Sequence, residues 1–277
     1  MSRKNNHEPK PNGVSPREAR DIENRARLRA RVIYEIVRVE GEEEMKRPAM
    51  SLLWSGLAAG LSISFSLLAM AILRHHLPDA GWRLLVVSFG YPIGFLMVVL
   101  SRQQLFTETT ITVVLPLLAR LTAKNLLLTV RMWAIVLCAN VLGTAFAAIF
   151  CSHFPVIAPA LRAEMVEISQ QALSFGWFEM LFRAISAGFL MAAMVWLIPA
   201  AKGAEVPIVI AMTYLIAAGE FSHIIAGSME GFMLLFADHW SLLEMTWNFA
   251  LPALVGNVIG GTALFALISY AQVMEEI

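Results

Sequence analysis

Charge is scarce in this sequence once its N-terminal segment is set aside. Charged residues make up 15% of the 277, and 12 of the 21 Lys and Arg precede Pro48, so the formal net charge of zero joins a basic segment to an almost uncharged body. The overall balance therefore says nothing about partners, and no nucleic-acid partner is expected. Cysteine is nearly absent: Cys138 and Cys151 lie in or at the edge of one apolar segment without ligand residues nearby, which excludes a disulfide framework and a cysteine metal site. There is no P-loop glycine pattern, no cluster of metal ligands and no nucleophile–base arrangement, so ATP-driven transport and hydrolysis lack support and no cofactor or catalytic residue is expected. The first 47 residues hold no apolar stretch with a small-residue cleavage site, so they are not read as a signal peptide and are expected to stay in the cytoplasm.

What is abundant is apolar surface. Hydrophobic residues are 58% of the chain and the mean hydropathy is +0.65. Apolar segments at about 50–73, 84–101 continued by 109–121, 126–151, 177–199, 206–236 and 247–271 each approach the twenty or so residues that a bilayer core demands. The expected fold is all-α, with six transmembrane helices. Residues 1–16 read as a disordered cytoplasmic tail, 17–46 as an amphipathic helix, and 47–277 as the membrane domain. The apolar positions Ile22, Leu28, Val32, Ile33, Ile36, Val37 and Val39 suit a helix on the membrane surface or against the bundle, or one simply solvated before the first span. Arg120, Lys124 and Lys202 occupy short loops on one side, and 237–246 has no Lys or Arg, which places both termini in the cytoplasm; Arg74 and Arg83 are the dissenting pair.

Two spans are interrupted. The polar stretch Ser101–Thr109 divides the second, with Leu105 at the break, and His223 followed by Gly227 divides the fifth. Lipid cannot satisfy freed backbone groups, so irregular backbone at that depth must be buried in protein or wetted by water. An internal repeat accompanies the breaks. Ala139-Asn140-Val141-Leu142-Gly143 returns as Gly256-Asn257-Val258-Ile259-Gly260, and Ala59-Gly60 as Ala187-Gly188. Nearly the same offset carries Thr107 onto His223. Three spans per half imply an inverted 3+3 repeat, with a substrate site between the halves near the midplane.

His223 is the candidate centre, because an ionisable group at membrane depth needs a cavity or a partner and histidine can donate a hydrogen bond or proton to a weak-acid anion. Thr107 offers a hydroxyl, and Asn257 an amide that either meets substrate or bridges helices. Tyr91, Phe95 and Phe106 surround the first break and could pinch a pathway by dewetting it. Glu220 and Glu230 read as helix-end or loop-facing groups, and Glu179 and Arg183 as an ion pair one turn apart.

These residues resemble the formate/nitrite transporter family, from about Arg47 to Tyr270. Leu105-Phe106-Thr107 is similar to the family's Leu-Phe-Thr, His223 to its central histidine, and Asn257 to the asparagine of its Gly-Asn-Ile-Ile-Gly-Gly segment. Gly94, Phe95, Tyr91 and Phe106 fall on its glycine and constriction positions. Three departures stand out: Gln104 replaces an acidic residue, Gly227 an asparagine, and Ala172 a vestibule lysine. The resemblance implies an aquaporin-like fold in a homopentamer of the bacterial inner membrane, acting as a channel or proton-coupled transporter for a small monovalent weak-acid anion such as formate or nitrite, with membrane lipid as the other partner. A neutral-solute channel and a non-conducting scaffold or sensor are the alternatives.

Overall fold

The computed structural model describes Ser15, residues 28–201 and residues 203–275, and among these residues the chain forms helices and connecting turns without a strand. A first helix, α1 (Ala30–Met45), is followed by α2 (Ala49–His76), α3 (Arg83–Leu100), α4 (Phe106–Ala119), α5 (Ala123–His153), α6 (Pro159–Ala172), α7 (Trp177–Ala201), α8 (Glu205–Ala218), α9 (Ile224–Phe236) and α10 (Leu242–Val273). Of these, α2, α3, α5, α7 and α10 are long and apolar enough to cross a membrane, whereas α4, α8 and α9 are apolar but shorter. The fold is all-α and multi-spanning. The second and fifth apolar segments expected from the sequence each stop midway, so five long helices stand where six spans were counted.

Local chemistry shapes the long helices. In α2, Ser64 bends the chain between Ala49–Ile63 and Phe65–His76 by donating its hydroxyl to Gly60 O at 2.8 Å. In α3, Pro92 lacks an N–H, and the turn before it, Ser88–Gly90, tightens to a 3₁₀ form. In α10, Pro252 is preceded by a π-helical stretch, Met245–Ala250, which gives the ring room against the preceding carbonyls.

The expected amphipathic helix is present in part. Its described portion, α1, buries Ile33, Tyr34 and Val37 against Ile111, Val114, Leu115 and Ala192, so it lies against the bundle. Gly41 touches the backbone of Thr112 so closely that any side chain there would collide. The tail expected over 1–16 falls, apart from Ser15, outside the described residues, as do residues 17–27. The stretch 153–175 holds a helix, α6, tied to α2 where Arg74 meets Glu164 at 3.1 Å, Gln171 at 2.9 Å, and Glu167.

Close approach of helices is built from glycine, and Gly56/Gly60 and Gly256/Gly260 keep the four-residue spacing that lets helices pack tightly in lipid. An added Cβ at Gly60 would strike the carbonyl of Asn140, and one at Gly188 the carbonyl of Asn257; at Gly143 it would lie 2.5 Å from Leu57 O. Backbone cannot retreat from such contacts as a flexible side chain can. Gly60→Val and Gly188→Val should therefore each cost more than the roughly 1–3 kcal/mol of ordinary overpacking. Thermal unfolding in mild detergent should show a large fall for both and none for Gly81→Val, which has no neighbour within 4 Å; equal melting of all three would contradict this packing.

Candidate functional site

Both helix breaks use the same backbone device. After α3 the chain turns through Arg102 at φ 52, and after α8 through Glu220 at φ 52, left-handed conformations that side chains rarely adopt. Gln103 N then donates back to Val98 O at 3.0 Å, and Phe221 N to Ile216 O at 2.8 Å. Leu105 (φ −107, ψ 128) and His223 (φ −111, ψ 123) are the extended residues that open α4 and α9. Leu105 is thus the counterpart of His223 across the two turns. The spacing that set Thr107 opposite His223 is two residues out of register.

Each turn is held by an asparagine from a neighbouring helix. Asn140 of α5 accepts from Phe106 N at 2.9 Å and donates to Gly56 O at 2.8 Å and Gln104 O at 2.9 Å. Asn257 of α10 accepts from Ile224 N at 2.8 Å and donates to Ala184 O at 2.8 Å and Ser222 O at 2.9 Å. Both side chains are fully buried. This corrects the reading of Asn257 as a donor to substrate: its two N–H groups already serve backbone carbonyls, so it bridges helices as Asn140 does. Gly227 is corrected as well. It lies inside α9, where an added Cβ would meet the Phe249 ring at 2.5 Å, so it makes room for packing and does not interrupt the helix.

His223 and Thr107 do meet, at 2.7 Å between Nε2 and Oγ1. The other ring nitrogen, Nδ1, accepts from Ile225 N at 3.3 Å and Ala226 N at 3.2 Å, capping α9. A nitrogen accepting from backbone donors holds no proton, so in the neutral ring the proton sits on Nε2 and is donated to Thr107. The threonine hydroxyl keeps its own proton to offer. Phe95 stands edge-on to the imidazole, with ring centroids 5.1 Å apart, and Tyr91 lies 5.0 Å beyond Phe95. Phe106 instead packs against Trp133 at 5.9 Å and is not among the residues lining the neighbouring cavity.

That cavity, about 310 Å³, is lined by Asp79, Ala80, Gly81 and Arg83 and by Tyr91, Ser222, His223, Gly227 and Phe249, among others. Ala172, at the position of the missing lysine, is on its wall with Arg74 nearby. Glu230, read from the sequence as loop-facing, also lines the cavity and is 8% exposed. Periodicity signals this placement, since His223, Gly227 and Glu230 follow the i, i+4, i+7 stripe of one helix face. Arg183 pairs with Glu179 at 2.9 Å, as its spacing suggests, and also donates to Glu220 O at 3.1 Å, which fastens the turn after α8.

Next to the first break, Glu44 of α1 accepts from Gln104 Nε2 at 2.8 Å and Thr112 Oγ1 at 3.1 Å. Burial pushes its carboxyl above the usual range, against the pull of those two hydrogen bonds. Among the described residues no cluster of His, Cys, Asp or Glu has a metal-holding arrangement.

The sequence profile of a family described as "Formate/nitrite transporter" matches residues 31–271. "Inner membrane protein YfdC" of Escherichia coli is 43% identical over 256 residues, covering 92% of this chain and 82% of its own. "Formate channel FocA" of Haemophilus influenzae is 24% identical, covering 78% and 84%. A solved structure, "Pentameric formate channel with formate bound", has the same fold at a TM-score of 0.71 and 18% identity, covering 82% of this chain and 98% of that one.

Replacing either asparagine by leucine strands one buried N–H and two buried carbonyls, each costing about 1–3 kcal/mol. Asn140→Leu and Asn257→Leu should therefore lower the detergent melting temperature to a similar, large extent. An Asn257→Leu protein of native stability would return Asn257 to the cavity.

Proposed function

The chain belongs to the formate/nitrite transporter family, and from that premise we propose that it is a membrane channel or proton-coupled transporter for small monovalent weak-acid anions such as formate or nitrite. The observation that carries this reading is the cavity lined by His223, whose ring bonds Thr107 and stands against Phe95, with Tyr91 next beyond. An anion in the cavity would lose water at the two aromatic rings. It would then meet the hydroxyl of Thr107, free to donate because the Nε2–H of His223 fills its acceptor side, or take that Nε2–H in exchange for Thr107, so that part of its hydration shell is replaced. Passage as the neutral acid avoids the cost of moving a bare charge through low dielectric.

The architecture proposed for this activity has six spans, with α3–α4 and α8–α9 each acting as one span broken at its middle. The matched turns at Arg102 and Glu220 and the matched asparagines support two halves of three spans in inverted orientation. A domain boundary near residue 47 would set α1 apart as a cytoplasmic element. Twelve Lys and Arg before Pro48 favour cytoplasmic termini, and the dissenting Arg74 is matched by Glu164 and Glu167. The relatives described as an inner membrane protein and as a pentameric channel support a homopentamer in the inner membrane. Leu127, Phe146, Phe178, Phe182 and Trp247 are exposed on one chain and would meet lipid or neighbouring subunits there.

Two measurements test the proposal. Native mass spectrometry in mild detergent should give five copies of the chain, and a stable monomer or dimer would remove the pentamer. In proteoliposomes, formate or nitrite uptake should fall about tenfold or more in His223→Asn, given roughly 1.5–3 kcal/mol for a hydrogen bond to a charged group. Unchanged uptake by an assembled His223→Asn protein would reduce His223 to a structural residue.

A further inference from the structure

The cavity holds a group with no task so far: the carboxyl of Glu230. It stands seven residues after His223, and Gly227 between them, packed under the Phe249 ring, lines the same cavity. An added Cβ at Gly227 would lie 3.6 Å from Glu230 Oε2, so the carboxyl folds back over Gly227 toward the start of α9. Glu230 is 8% exposed and forms no hydrogen bond or ion pair with any described residue, although buried carboxyls are normally partnered. Its surroundings offer no counter-charge. The apolar cluster around this turn of α9 draws Leu67, Ala148, Met165 and Met245 from α2, α5, α6 and α10.

The other titratable groups of the cavity are Tyr91, His223, Arg74, Asp79, Arg83 and Glu220. Both arginines are engaged, Arg74 with Glu164 and Glu167, and Arg83 with Asp79 at 3.9 Å and the carbonyl of Arg74. A fixed carboxylate beside an anion would repel it, and an unpaired charge in an apolar wall is costly. A carboxylic acid at the same place has neither penalty and has a proton to give.

We propose that Glu230 hands a proton to the weak-acid anion in this cavity, so that the solute reaches Phe95 as a neutral acid. The proposal rests on reading the cavity as the approach to an anion pathway. In the step, the O–H bond of Glu230 breaks as one forms on an oxygen of the anion. This leaves a neutral acid and a short-lived Glu230 carboxylate, which protonated water in the cavity converts back to the carboxylic acid; the reverse sequence serves export.

Infrared difference spectroscopy on the lipid-reconstituted full chain tests this directly, using isotopically labelled formate to displace the solute's own bands. Formate should shift a protonated-carboxyl C=O band in the native protein, as the Glu230 O–H turns to the anion, and Glu230→Gln should lack that shift. Glu230→Asp should shift the band and assigns it even if Glu230→Gln assembles poorly. In proteoliposomes, proton-driven formate uptake should fall about a hundredfold in Glu230→Gln, the lower end of what a positioned acid contributes, with partial recovery in Glu230→Asp. A formate-dependent shift that persists in Glu230→Gln, or no shift at all, overturns the proposal, and native uptake beside that result leaves the transport reading standing. A Glu230-dependent shift without uptake by native protein keeps the meeting of carboxylic acid and anion and sinks the transport reading.

Discussion

A helix that stops in the middle of a membrane leaves amide and carbonyl groups with no solvent to take them, and two buried asparagines resolve that problem here. Each supplies one acceptor to the first N–H of a half-helix and two donors to carbonyls, one in the break and one in a neighbouring span. This three-way bridge joins three segments at a single side chain. It allows the chain to be irregular at depth without exposing backbone to lipid, and everything near His223 depends on it. The glycines at 60 and 188 belong to the same device, since a side chain at either would push the asparagine's own backbone away.

Much of this was legible in the sequence because bilayer physics is severe. Polar interruptions inside apolar segments, the two Gly/Asn repeats and an isolated histidine at depth have few alternative explanations. The failures have physical causes. Asparagine chemistry is symmetric between substrate and backbone carbonyl, so the type of Asn257 could not decide its partner. Thr107 and His223 touch across the breaks without being equivalent within them, and only the left-handed turns at Arg102 and Glu220 reveal that Leu105 is the counterpart. Glu230 was passed over because acidic residues near helix ends are usually solvated, although its spacing from His223 set it on the same face.

The two breaks match in backbone but differ in what they carry. The residue that opens α4 is a leucine, fully buried, while the residue that opens α9 is a histidine whose ring serves both as helix cap and as partner of Thr107. One turn thus provides structure alone, and the other provides structure with chemistry. The aromatic screen follows the same bias, for Phe95 stands against the imidazole and Phe106 turns to Trp133.

The contact between Thr107 and His223 brings the starts of α4 and α9 to one point. Every α-helix has a partial positive charge at its start from aligned peptide dipoles. Two such starts aimed together create a positive potential made only of backbone, without any lysine or arginine. A potential of that kind does not titrate, cannot be neutralised by a passing carboxylate forming an ion pair, and holds no counter-ion tightly. It can attract an anion and still let it go.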